Sequence, residues 1–192
     1  MKQTIKLLGL ASFALVVGFS CKPKNQPAPA SAGNEVEVKL YCSGESKFQN
    51  SKEFFRATAT GESLDRETAK KKALSNARNY LASNINTTVK AVTDNYVNSR
   101  EYNNSEEVEE RFEFLSREVV NQELQGLNTI CEKVTQNSQT KKFTYYVAIE
   151  LSGADLLSKM NDKLSQDQRI KVDYDYEKFK ETFNAEMDKM SK

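Results

Sequence analysis

FFRATATGESLDRETAKKKALSNARNYLASNI, residues 54–85, carries the change of period that decides the fold. Over Phe54–Thr60 the residues alternate. Phe55, Ala57 and Ala59 share one face, and Phe54, Arg56, Thr58 and Thr60 share the other, which predicts a strand ending at Gly61. From Asp65 the period lengthens. Ala69, Ala73, Ala77, Leu81, Ile85 and Val89 recur every fourth residue, with Leu74 and Val92 beside them. That is one stripe of a long helix, with Asp65 as its N-cap and Glu67 in the first turn. The early stripe is alanine, and small side chains let a helix lie close to a sheet. This helix is therefore expected to pack on the Phe55/Ala57/Ala59 face. Lys70, Lys71 and Lys72 read as a solvated face of it in preference to an anion or headgroup site.

Upstream, Glu35–Cys42 alternates Val36, Val38, Leu40 and Cys42 against Glu35, Glu37 and Lys39, which predicts a first, half-buried strand. Downstream, a second helix is expected from Asn104 or Ser105, with glutamates in its first turns. Its stripe is Val108, Phe112, Leu115, Val119 and Val120, and Gly126 is placed to end it. Those glutamates form nothing like an EF-hand loop, so no metal is expected. A hairpin follows: an irregular strand over Leu127–Thr135, a QNSQT turn, and a clean strand over Lys141–Leu151. Phe143, Tyr145, Val147, Ile149 and Leu151 line one of its faces. The other face, with Tyr146, Ala148 and Phe54, is less polar than open sheet should be. Two C-terminal helices, Ala154–Leu164 and Asp175–Met190, are the candidates to cover it; the second sets Tyr176, Phe179, Phe183 and Met187 on one side. The expected fold is α+β: an antiparallel sheet with the long Ala-rich helix on one face, in the order β-β-α-α-β-β-α-α.

The N-terminus reads as an address. Lys2 and Lys6 precede a charge-free stretch from Leu7 to Ser20, short for a bilayer span, and Cys21 follows small Ser20. A secretory signal ending in Cys is the pattern of a bacterial lipoprotein, with Cys21 acylated. A plain secretory signal cleaved elsewhere is the alternative. Acyl chains anchor at about 0.8 kcal/mol per buried methylene. Pro23, Pro27 and Pro29, the only prolines, fall in the segment 21–34, which reads as a tether. The divisions are thus a signal at 1–20, acylated Cys and tether at 21–34, and one domain at 35–192. Lys22 after the Cys favours the outer membrane by the enterobacterial sorting rule, facing the periplasm, with surface exposure the alternative. In an oxidising compartment Cys42 and Cys131 are either a disulfide or two buried thiols.

Composition narrows the chemistry. The 192 residues hold no His and no Trp, which excludes Ser-His-Asp, Cys-His and imidazole–zinc sites. Net charge is +1, and losing Lys2 and Lys6 with the signal leaves −1, so no general attraction to nucleic acid is expected.

FRATATGES (55–63) followed by TAKKKALSNARNYLASNI (68–85), with Ala73, Ala77, Arg78 and Leu81 as A-x-x-x-A-R-x-x-L, resembles the Lpp-twenty family of bacterial outer-membrane lipoproteins. GLNTICEKV and YYVAIEL follow in the family's order, and REVVNQEL and DYEKFKETFNAEM look like a Bacteroidota branch. The resemblance covers about residues 53–151. It implies an α+β domain and a lipid-anchored (palmitate-bearing) envelope protein. It carries no catalytic residue to this chain. Nothing here specifies a flagellum, so the role of the family's flagellar members is not transferred.

The expectation for function is a non-enzymatic structural or assembly lipoprotein without cofactors, touching the membrane through its lipid and a protein partner or further copies of itself. The alternative is a periplasmic binding module whose tyrosines (Tyr41, Tyr80, Tyr96, Tyr102, Tyr145, Tyr146) line a groove for a small ligand, peptide or envelope polymer.

Overall fold

A computed structural model describes residues 38–100 and 105–191. Cys21, the signal and the tether lie outside the described residues, as does Tyr102. The elements run β1 (Phe54–Ser63), α1 (Arg66–Asn98), α2 (Ser105–Glu123), β2 (Asn128–Gln136), β3 (Phe143–Ser152), α3 (Gly153–Gln166) and α4 (Tyr176–Met190). The fold is α+β. The strands form one antiparallel sheet in the order β1-β3-β2, with a bulge in β2 between Thr129 and Cys131.

The long helix packs as its stripe requires. Asp65 caps it by accepting from Thr68 N at 2.7 Å, and that bond holds the Asp65 carboxyl below its ordinary value. Ala69, Ala73, Ala77, Leu81, Ile85 and Val92 are fully buried against Phe55, Ala57, Tyr145, Val147, Ile149 and Leu151. Gly61 does more than end a strand. β1 continues to Ser63, and at Gly61 it passes so close to α1 that a Cβ there would lie 2.3 Å from Ala69 O and 2.4 Å from Ala73 N. The backbone of the helix occupies the space of the missing side chain.

Helices α2, α3 and α4 join the same core. At the far end of α1, Tyr96, Phe112, Tyr174 and Phe179 form a ring cluster with centroids 5.3–6.3 Å apart. The Tyr96 hydroxyl accepts from Asp175 N at 2.8 Å, which ties α1 to the start of α4. Arg111 on α2 holds Asp167, beyond α3, at 2.7 Å. Burial alone would raise the Asp167 carboxyl, but the Arg111 guanidinium and the Arg169 N–H outweigh it and keep it below the ordinary value.

Two expectations are corrected. The described part of the first strand, Val38–Cys42, is irregular backbone in place of a strand, and Cys42 has φ 53°. Val38 and Leu40 are 74% and 64% exposed. Alternation supplies a face, yet among the described residues no ladder receives this one. The second face of the sheet is not covered by the C-terminal helices, which pack into the main core. It is covered by the segment before β1: Cys42 and Phe48, the latter in a 3-10 turn over Ser46–Phe48, pack on Ala148, with Ile130, Cys131 and Tyr146 beside them. Cys42 and Cys131 are joined by a disulfide with Cα atoms 5.5 Å apart. On α4, Phe179, Phe183 and Met187 are buried, and Tyr176 on the same side is 37% exposed.

Candidate functional site

The sheet has two edges, and they are built differently. On β1, Arg56 N donates to Asn50 Oδ1 at 2.7 Å, so the backbone groups of Arg56 point away from β3. By the two-residue period those of Phe54, Thr58, Thr60 and Glu62 do the same. Half of these groups are taken. Phe54 exchanges bonds with Ser51, its N–H to Oγ at 3.1 Å and its carbonyl from N at 2.9 Å. The Thr60 carbonyl accepts from Asn76 Nδ2 at 3.0 Å and the Glu62 carbonyl from Lys72 Nζ at 3.1 Å. Side chains of α1 and the preceding loop thus cover part of this edge.

Among the described residues β2 has no such cover. The same alternation, carried across β3, turns the backbone groups of Glu132, Val134 and Gln136 outward. Among the described residues no donor or acceptor bonds them. Val134 is 40% exposed on the α1 face. Beside it Lys70 Nζ reaches Glu132 at 3.1 Å and lies 5.5 Å from the Tyr145 ring centre. The Tyr145 hydroxyl and the Lys70 ammonium hold the Glu132 carboxyl below its ordinary value, while burial and Glu132 raise the Tyr145 phenol. A raised phenol is no base at neutral pH, so this group is an ion-pair brace for the open edge. On the opposite face the disulfide ties β2 through Cys131, so the strand is held by contacts on both faces.

The lysine run resolves accordingly. Lys70 braces β2 and Lys72 caps β1, while Lys71 is exposed.

The tyrosines scatter. Tyr96 and Tyr145 are buried, and Tyr41 stacks edge-on against Tyr146 at 5.1 Å over the disulfide. Among the described tyrosines Tyr80 alone lines the open groove of about 490 Å³ beside Asn50, Arg56, Thr58 and Asn84. Of the acidic residues, Asp94, Glu109 and Glu113 bring carboxylate oxygens within 4.8 Å of one another. The Lys90 ammonium already sits among them, 3.3 Å from Asp94 and 3.0 Å from Glu113. Its pKa is raised by Glu113 and Asp94.

The hairpin around the QNSQT turn pointed to β2 as a strand, the less regular of the two. Nothing in its residues marked it as the open edge, since that depends on what Asn50, Asn76 and Lys72 do at β1. Among the described residues no helix is long and apolar enough to cross a membrane. The chain matches no known family model, no curated protein and no solved structure.

Proposed function

We propose that the chain is a lipid-anchored cell-envelope protein with a structural or assembly role and no catalysis, which docks an extended segment of a protein partner along β2. The asymmetry of the two sheet edges carries this reading. A strand edge left open is a hazard that proteins ordinarily blunt. Here β1 is partly blunted by side chains, while β2 is braced, disulfide-fixed and, among the described residues, unpaired along its outer edge. Main-chain bonds from Glu132, Val134 and Gln136 would supply affinity, and side chains on alternate faces would supply selectivity. The signal, Cys21 and the proline-bearing tether support lipid attachment at the outer membrane, facing the periplasm. The likeness to the Lpp-twenty lipoproteins supports the same placement.

A photo-cross-linking side chain at position 134, in the native envelope at native abundance, tests the docking edge. It should give a covalent product heavier than the monomer, and the same side chain at position 60, on the partly covered edge, should not. Recovery of monomer alone from both sinks the reading. The anchor is tested separately by Cys21→Ser and detergent phase partition; a variant still wholly in the detergent phase refutes lipid attachment.

A further inference from the structure

One row of α1 faces the β1 edge, with Lys72, Asn76, Tyr80 and Asn84 spaced four residues apart. Its first two members cover that edge. Lys72 Nζ donates to the Glu62 carbonyl at 3.1 Å, and Asn76 Nδ2 donates to the Thr60 carbonyl at 3.0 Å. Four residues of helix rise about 6 Å and two of strand about 6.6 Å, so the next two members fall opposite Thr58 and Arg56. There the row changes. Among the described residues neither the Tyr80 hydroxyl nor the Asn84 carboxamide makes a hydrogen bond. In the same stretch the Arg56 carbonyl, both main-chain groups of Thr58 and the Thr60 N–H are unpaired among the described residues. Arg56, Thr58, Tyr80 and Asn84 all line the open groove of about 490 Å³.

The surroundings narrow the occupant. A strand laid along β1 would meet the Asn50 carboxamide on the Arg56 N–H and the Asn76 carboxamide on the Thr60 carbonyl. The free stretch between them admits a compact ligand and not a through-running polypeptide. Among the described residues Arg56 is the one charged group in the lining, and it is already engaged. Its Nε holds Glu150 at 2.9 Å, and its Nη1 donates to the Gln49 carbonyl at 3.2 Å. The lining is thus neutral and disfavours an ion. It offers both donors and acceptors along the strand, and opposite them the Tyr80 ring, in a side chain 60% exposed, offers a flat apolar face. At about 30 Å³ for each water-sized group the groove takes roughly sixteen, enough for one sugar ring and part of a second.

We infer that this groove binds a neutral sugar ring, its C–H face on Tyr80 and its hydroxyls on Asn84 and the free main-chain groups of Arg56, Thr58 and Thr60. Each sugar hydroxyl both donates and accepts, which matches a wall that mixes N–H and C=O groups. A pyranose also has an apolar face for the tyrosine, which a linear polyol lacks. A free monosaccharide and one unit of an envelope glycan present the same ring, and the test separates them. The assignment concerns the opposite sheet edge and is independent of docking at β2.

The test uses the full-length protein in detergent and saturation-transfer NMR. The probes are glucose, N-acetylglucosamine and their disaccharides cellobiose and chitobiose. At least one should bind saturably with Kd at or below about 5 mM. A disaccharide bound several-fold tighter than its monosaccharide marks a glycan unit, and equal affinity marks a free sugar. Tyr80→Ala should weaken binding roughly fivefold or more, while Tyr80→Phe, which keeps the ring, should stay within about threefold of the parent. Asn84→Ala should weaken it roughly threefold or more. Tyr80→Asn continues the chemistry of Asn76 opposite Thr58 and should abolish binding. Circular dichroism should be the same for parent and variants, since Tyr80 is exposed and Asn84 half-buried. Absence of saturable binding by all four sugars would overturn the assignment, as would affinity untouched by Tyr80→Ala and Asn84→Ala. So would a blocked tri-alanine peptide that binds where the sugars do not.

Discussion

Replacing Gly61 by alanine should force α1 off the sheet. The new methyl would sit 2.3 Å from Ala69 O, 2.4 Å from Ala73 N and 2.8 Å from Lys72 Cβ. Carbon contacts relax at about 3.5 Å, so the layers must part by roughly 1 Å. Two of the three obstacles are helix backbone, and no rotamer change clears them. Parting the layers also loosens the packing of Ala57 against Ala69 and Ala73, which are too small to refill the gap. Overpacking of this kind costs about 1–3 kcal/mol, and a backbone obstacle places the value at the upper end. At about 2–4 °C per kcal/mol for a domain of this size, Gly61→Ala should melt roughly 6–12 °C lower. Thermal unfolding followed by circular dichroism reads this directly. Gly126→Ala is the control. A Cβ there meets nothing nearer than 4.0 Å, and a surface change of this kind stays within about 0.5 kcal/mol. If Gly61→Ala melted within about 2 °C of the parent, the close approach argued here would be refuted.

Two further outcomes follow from the bonds that tie distant segments. The Cys42–Cys131 bridge spans 89 positions, and by chain entropy it contributes up to roughly 4–5 kcal/mol, often less. Cys42→Ser/Cys131→Ser should lower the denaturant midpoint accordingly, and the unreduced, denatured parent should show no titratable thiol from either residue; two thiols there would remove the bridge. Asp167, held below its ordinary value of 3.8 against the pull of burial, has a depressed folded pKa. Its contribution is therefore complete above the unfolded value and is lost as pH falls through the folded one. Asp167→Asn should cost about 1–3 kcal/mol at neutral pH by weakening the bond to Arg111, and parent and variant should converge below pH ~3.8. A gap of equal size in strong acid would contradict the sign of that shift.

What was legible in the residues is what a short stretch determines for itself. The alternation of Phe143–Leu151 and the fourfold spacing from Ala69 to Val89 name a strand and a helix and the face each one buries. The small residues at Ala57, Ala59, Ala69 and Ala73 also foretold which helix lies on which face, because close packing needs small partners on both sides. The Asp65 cap is equally local.

What stayed hidden depends on groups far apart in the chain. Val38, Leu40 and Cys42 alternate as well as any strand, yet a strand exists only where another backbone accepts its bonds, and alternation does not reveal the partner. The cover of the second sheet face came from Cys42 and Phe48 because the bridge to Cys131 brings them there, and no period encodes that. Which edge is open was settled by Asn50, Asn76 and Lys72 reaching β1. That the Thr93 and Ser116 hydroxyls are buried without a partner emerges only once α1 and α2 meet. The sequence by itself determined the elements and their buried faces, since these follow from local period and side-chain size. The tertiary structure alone decided edges, covers and cavities, because each is a relation between backbones and side chains that the chain keeps far apart until it folds.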